Sequence, residues 1–412
     1  MSEANRFAGE AAVPGHPLYQ AYTARVTPLY ERGGEVRSPF ARDYTRILHC
    51  MGYRRLKHKT QVFYNIEKDH ICTRMEHVSH VESVSSTIAR YLGLNDELTR
   101  AISIGHDVGH APFGHEGERI LSEFSEEYLG RKFWHEQNGL RFVDDIELLA
   151  NDNNEKKNLN LTYAVRDGII SHCGEVDENG LRPRQEMIDL ADFSAPGQYA
   201  PATWEGCVVK ISDKIAYIGR DIEDAISLGF IDEEARHELM ELAKMSHAQV
   251  LNTTVLISRF ITDICAHSSP EAGICLSEEA VAQMKAVKEF NYRHIYRHKR
   301  FEPFTKYARL VIRQLFSVLL DTYDGPGSFA VLSREARYCP ELMTSFAQFL
   351  AKYADPAVLP AGTLADIGAG CVNRKVYGRL ETKEIYVQAI IDYISGMTDR
   401  YAVAAFEELL KY

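Results

Sequence analysis

No apolar run in the 412-residue chain approaches the ~20 residues that a membrane-spanning helix requires. The first residues carry Glu3, Asn5 and Arg6 where a secretory signal would place an apolar core, so a cytoplasmic protein is expected. Cysteines stand apart at 50, 72, 173, 207, 265, 275, 339 and 371, with no Cys-x-x-Cys pair among them. That scatter argues against a disulfide framework or thiolate zinc and favours reduced, mostly buried thiols. An excess of positive charge is missing too. The 47 Lys and Arg against 58 Asp and Glu leave a net charge of −11, so the surface as a whole does not advertise nucleic-acid binding. A phosphate substrate needs only a local basic patch. Internal repeats, low-complexity tracts and runs of alternating strand pattern are also absent.

What the chain does contain is helical periodicity in an ordinary globular composition, 45% hydrophobic and 25% charged. Val78, Val81, Val84, Ile88 and Leu92 form one apolar stripe, which Gly93 ends. Asn95 or Asp96 can cap the next helix, with Leu98, Ala101 and Ile102. Leu161, Val165, Ile169 and His172 share a second stripe, and Ile211, Ile215, Ile218, Ile222 and Ile226 a third. Further helical patterns fill 240–262, 278–322 and 384–411. The expected fold class is all-α. Polar, Gly and Pro clusters at 151–160, 174–203, 323–328 and 355–373 read as loops rather than long linkers. One helical domain with loop insertions is therefore expected over 37–412, preceded by an N-terminal extension, 1–36.

The run SIGHDVGHAPFGHEGE (103–118) concentrates the chemistry. Imidazole nitrogen and carboxylate oxygen together bind hard or borderline cations, and a catalytic ion needs positions open to water and substrate. Neighbours on a helix point about 100° apart, so His106 and Asp107 can reach one ion only near a helix end or an irregular turn. Gly105 and Gly109 are expected to supply backbone freedom there. Taken alone, His77 reads as a core histidine on its stripe, and Asp213 as an N-cap at the start of its helix. His110, His115 and Glu118 beside the His-Asp pair change the weighting. Histidines at this density suggest metal binding together with proton transfer.

The order His77, His106-Asp107, Asp213 resembles the H…HD…D signature of the HD superfamily. Surrounding blocks resemble its deoxyguanosine triphosphate triphosphohydrolase branch: RSPFARDYTRILHCMGYRRLKHKTQVF (37–63), TRMEH (73–77), GHDVGHAPFGHEGE (105–118), WHEQNGLRF (134–142), LTYAVRDGIISH (161–172), SDKIAYIGRDIEDA (212–225) and DYISGMTDRYA (392–402). The resemblance implies an HD helical bundle with additional C-terminal helices, its core at about 60–235 and a C-terminal helical part at about 236–412. It implies a metal held by His77, His106, Asp107 and Asp213, and conversion of a dNTP, dGTP first, to deoxynucleoside and tripolyphosphate. The ion could be Mn, Mg, Fe, Co, Ni or Zn.

His115, oriented by Glu118, is the first candidate for proton transfer, followed by His110 and His135; which activates water and which protonates the leaving oxygen stays open. Arg74 and Lys214 are candidates for the phosphates, each an ordinary surface charge without the motif. Asp213, Tyr217 and Asp221 recur every four residues on one polar stripe. By resemblance Tyr217 stacks on the deoxyribose, leaving no room for a 2′-hydroxyl, and Asp221 approaches the 3′-hydroxyl. Arg55, Gln61 and His172 fall in blocks near the nucleotide. NYRHIYRHKR (291–300) reads as a basic helix face, or as a contact for single-stranded nucleic acid or a nucleotide effector, with Tyr296 and His298 its residues of interest. A homo-oligomer is a family expectation. Another HD phosphohydrolase, a nucleotidase or phosphodiesterase, is the same-class alternative; a dNTP- or nucleic-acid-sensing protein without turnover is the other.

Overall fold

Capping chemistry sets the helices that carry the candidate ligands. A computed structural model describes residues 4–29, 34–64, 70–151, 153–173, 179–242, 253–360 and 375–411. Within the expected segments, 1–3, 30–33, 65–69, 152, 174–178, 243–252, 361–374 (Cys371 among them) and 412 lie outside the described residues. Thr73 opens the helix Arg74–Leu92 with a capping box: its hydroxyl accepts from the Glu76 amide, and the Glu76 carboxylate accepts from the Thr73 amide. Gly93 closes that helix in the left-handed region, φ 83°, where a side chain would be strained. Asn95 then caps Asp96–Gly105 by accepting from Glu97 and Leu98. Thr203 caps the long helix Trp204–Ser227.

The architecture is all-α, a helical bundle with further C-terminal helices and loop insertions. The expectation of no strand pattern meets one small exception. Leu149–Ala150 pairs antiparallel with Lys156–Lys157 across the 151–160 loop, and two residues per strand are too few to show alternation. No helix among the described residues is long and apolar enough to cross a membrane.

The chain folds as two compact units that interleave along the sequence. Unit 1 comprises Met1–Leu48, Gln61–Asp107 and Leu161–Glu302; unit 2 comprises His49–Thr60, Val108–Asn160 and Pro303–Tyr412. In unit 1, Arg74–Leu92 packs on Asp96–Gly105 and Trp204–Ser227. Val78, Val81, Ile88 and Leu92 are buried there with Ile215, Ile218 and Ile222. A β-carbon at Gly168 would sit 2.6 Å from three atoms of Ile102, and one at Gly105 would sit 2.9 Å from Ile169. These two glycines let Asp96–Gly105 and Tyr163–Ser171 approach closely. The N-terminal residues join the same core: Phe7 meets Trp204 edge-on at 4.9 Å, and buried Glu205 accepts from the amides of Ala12 and Asn95.

Unit 2 is built from Gly114–Leu129, His135–Arg141, Glu302–Leu320 from Pro303 onward, Pro340–Ala351, Lys383–Ser395 and Asp399–Glu408. Phe124 stacks on Phe316 at 3.8 Å. Arg141 grips the fully buried Asp392 in a bidentate pair, and the Tyr377 hydroxyl donates to the same carboxylate at 2.7 Å.

Candidate functional site

The boundary between the units falls between Asp107 and Val108, so the histidine-rich run divides into two clusters. The first lies in unit 1. His77 occupies the opening turn of Arg74–Leu92, buried, with Nε2 2.9 Å from Asp213 Oδ1. Asp213 was expected to begin its helix, but that helix starts at Trp204. Asp213 is mid-helix; the preceding 204–212 is buried throughout and shows no polar face that would mark the true start.

His106 caps the C-terminal end of Asp96–Gly105, which lets it and Asp107 aim at one region, as adjacent ligands require. Its Nδ1 donates to Ser103 O at 2.6 Å, leaving Nε2 as the lone-pair atom. That Nε2 is buried without a hydrogen-bond partner, 3.4 Å from Asp107 Oδ1 and 3.9 Å from Asp213 Oδ1. The expected role for the flanking glycines needs correction. Neither Gly105 nor Gly109 adopts positive φ. Gly105 gives way to Ile169, and a β-carbon at Gly109 would lie 2.1 Å from Gly139 N and 2.2 Å from His135 O. They are glycines for close packing, not for freedom.

The donor atoms of His77, His106 and Asp213 all lie within 4.8 Å of one another, and so do those of His106, Asp107 and His172. His172, expected near the nucleotide, lies beside His106 and Asp107, its Nδ1 2.7 Å from Ile169 O in the same orienting arrangement. Opposite charges hold the cluster together. Burial alone would raise the Asp213 carboxyl, but the hydrogen bond and charge of His77, with His106, hold it at about 2. The Arg74 guanidinium donates to Asp107 Oδ2 at 3.0 Å, and its Nε–H is buried without a partner. A stranded imidazole lone pair among carboxylates and oriented imidazoles fits a divalent cation, with His77, His106, Asp107 and Asp213 to hold it and His172 adjoining.

Lys214 and Asp221 lie buried on the same helix, and Tyr217 is half-buried, so this stripe is not a solvated face. Asp221 accepts from the Tyr296 hydroxyl at 2.5 Å, while its Oδ1 is buried without a partner. Burial pushes its carboxyl up to about 6. Gln61 likewise has a buried Oε1 without a partner. Tyr296 had been singled out within 291–300, but its partner 75 residues earlier was not legible. His298 instead caps the turn Lys299–Phe301, accepting from Arg300 N, and Arg293 and His294 pair with Glu238.

The second cluster lies in unit 2. His110 is buried with its ring stacked on His135, centroids 3.7 Å apart; His115 is exposed, 5.9 and 6.4 Å from those rings. Glu118 accepts from the His135 amide at 3.0 Å and lies 3.1 Å from its Nδ1, against 3.6 Å to His115 Nδ1. Its firmer partner is thus His135, 17 residues away, rather than the neighbouring His115. Burial opposes ionisation of Glu118, but His135 above all, then His115 and His110, holds it well below the usual carboxylate range. Arg55 pairs with Glu147 beside the Phe142 ring. Sequence reasoning missed Lys59, Asn138 and Asp399, which bind the turn at 109–113; the DYISGMTDRYA run was visible but carried no chemistry of its own.

Comparison with known proteins places these features in a lineage. The HD domain matches residues 74–218, and the phosphohydrolase-associated domain matches 274–329 and 353–408. The chain is similar to a deoxyguanosinetriphosphate triphosphohydrolase-like protein of Caldanaerobacter subterraneus subsp. tengcongensis, 32% identical over 91% of this chain and 86% of that one. Proteins of the same description in Rhodopseudomonas palustris and Clostridium tetani are 32% and 29% identical, covering 92% of this chain and 92% and 88% of theirs.

Proposed function

The chain belongs to the HD-domain family of deoxyguanosinetriphosphate triphosphohydrolase-like proteins, and from that premise we propose that it cleaves a deoxynucleoside triphosphate, dGTP first, into deoxynucleoside and tripolyphosphate. The observation that carries this reading is His106 Nε2, buried without a partner between two carboxylates. Such a nitrogen costs about 1–3 kcal/mol unless something accepts its lone pair. A phosphohydrolase ion would do so, held by His77, His106, Asp107 and Asp213.

In the proposed reaction a water oxygen bonds to the α-phosphorus, the bond to O5′ breaks, and the water proton is returned to O5′. The cation, when bound, supplies charge neutralisation and acidifies water. The remaining tasks fall to side chains. Arg74, with its partnerless Nε–H, and Lys214 bind phosphate oxygens. Asp221, whose Oδ1 is available to accept, takes the sugar 3′-hydroxyl, and Tyr217 covers the 2′ position. Gln61 and His172 line the nucleotide side, with Arg55 in support through Glu147. Proton movement belongs to His115, His110 and His135. Glu118, held well below the usual carboxylate range, accepts from the His135 amide and orients the rings beside it.

The test is a panel of four dNTPs and four NTPs, each with Mn, Mg or Co, following products by chromatography and phosphorus NMR. Deoxynucleoside plus intact tripolyphosphate is expected. Inorganic phosphate or a nucleoside monophosphate as the first product refutes the reading and points to another HD phosphohydrolase. Light scattering of the same sample, with and without dNTP or single-stranded DNA, tests the homo-oligomeric, effector-responsive form that this reading includes, and fractionation of the cells that make it tests the cytoplasmic location.

A further inference from the structure

The run DYISGMTDRYA (392–402) has no part in the reaction above, yet within unit 2 it reaches the turn that carries the histidines. Helix Lys383–Ser395 ends at Gly396, and Thr398 caps Asp399–Glu408 by accepting from Tyr401 N. Asp399 is thereby buried at the first position of a helix, where a carboxylate is favoured. Its two oxygens serve different segments: Oδ1 accepts from Phe113 N and Oδ2 from Thr60 N, both at 2.9 Å. One residue before Thr60, the ammonium of Lys59 is buried and donates to Ser395 O at 2.8 Å and to His110 O. An ammonium out of water is tolerated only when its hydrogens are taken up, so these bonds are held firmly.

The segment so gripped is 109–113. Asn138 Nδ2 donates to Gly109 O at 2.6 Å, Lys59 takes the His110 carbonyl, and Asp399 takes the Phe113 amide. Phe113 needs the help: it sits in the left-handed region, φ 64° and ψ 21°, which bulky residues avoid. It is also the cap residue of Gly114–Leu129, with no side-chain cap of its own, and that helix bears His115 and Glu118 in its opening turns. Pro112 O packs so close to Gly117 that a β-carbon there would lie 1.8 Å away, so turn and helix move together.

We propose that Asp399 is a positioning residue which, with Lys59, holds 110–113 in the backbone conformation that brings His110 and His115 to Glu118 and His135. Its effect on turnover rests on the function proposed above; its effect on the rings does not.

Asp399→Asn offers one accepting oxygen and cannot serve both amides. In the metal-loaded full-length protein, kcat is expected to fall on the order of 10- to 100-fold, the scale of losses from small misplacement, with KM and metal content unchanged. Glu408→Gln is the control: it weakens a carboxylate that accepts from Glu341 N and Leu342 N on the far side of the same helix, and kcat should stay at wild type. A folded Asp399→Asn protein with wild-type kcat overturns the proposal. Should Asp399→Asn not fold, Lys59→Met carries the test with the same two outcomes. If wild type releases no tripolyphosphate, the functional reading fails separately, and histidine-selective NMR decides here. Signals of His110, His115 and His135 should move in Asp399→Asn and not in Glu408→Gln; unmoved signals overturn the positioning role.

Discussion

Replacing Asp221 by Asn should make the metal-free protein more stable and the enzyme worse. Asp221 is 2% exposed, keeps one hydrogen bond from Tyr296, and leaves Oδ1 without a partner. Burial raises its carboxyl from 3.8 to about 6, with Tyr296, His77 and Arg74 offsetting only part of the cost. A carboxyl whose folded pKa is raised binds its proton more tightly folded than unfolded. Ionisation therefore costs stability above both pKa values, and the cost disappears as pH falls below 3.8. About two pKa units at 1.36 kcal/mol each give about 3 kcal/mol at pH 7.5, shrinking to roughly half of that at pH 5. Asparagine preserves the shape and can still accept from Tyr296, so it removes the penalty and its pH dependence. Urea unfolding of chelator-treated wild type and Asp221→Asn at the two pH values measures both. Turnover should drop, because a neutral amide is a poorer partner for a sugar hydroxyl, a familiar exchange of stability against function. An Asn variant less stable than wild type at pH 7.5, or a gain that does not shrink by pH 5, refutes the reasoning.

His106→Ala should abolish metal-dependent turnover and metal retention, read by elemental analysis after dialysis; a variant that keeps both removes His106 from the ligand set. For His115→Ala, exposed and outside that set, metal content should stay at wild type while kcat falls about 10²- to 10⁴-fold. Full activity would move proton transfer to His110 and His135. Gly109→Ala must push Gly139 N and His135 O away from 2.1 and 2.2 Å. A loss of about 3 kcal/mol or more is expected in thermal or urea melts, as for overpacking against unyielding backbone; a melting curve like wild type would show the helix at His135 to be free to retreat.

Local chemistry explains what could be read from the residues alone. Gly93, Asn95 and the valine stripe of Arg74–Leu92 act on neighbours within one or two turns, and the structure places them as expected. The long-range partners were hidden. Asp213 looked like a helix start because the preceding 204–212 stretch, with Glu205 and Lys210 buried in it, shows no amphipathic face. One oxygen of the Glu205 carboxylate accepts from the amides of Ala12 and Asn95, more than a hundred residues away. Gly109 suggested a flexible hinge, since the surface it packs against belongs to a helix 26 residues later. Charge-bearing residues are legible by type and spacing; what they touch is fixed by tertiary approach.

The bond from Asp399 to the Thr60 amide closes a loop of 339 residues. At about 5–20 residues per second, a ribosome needs at least about 14 s after the turn at 109–113 has been made before Asp399 exists. Through that interval the histidine turn has been synthesised but lacks one of its ties. Long loop closure is also slow in itself, since its entropy must be met before the contact forms. On the positioning role proposed above, the histidine cluster would thus reach its working geometry only after the helix Asp399–Glu408 has been made and has closed this tie.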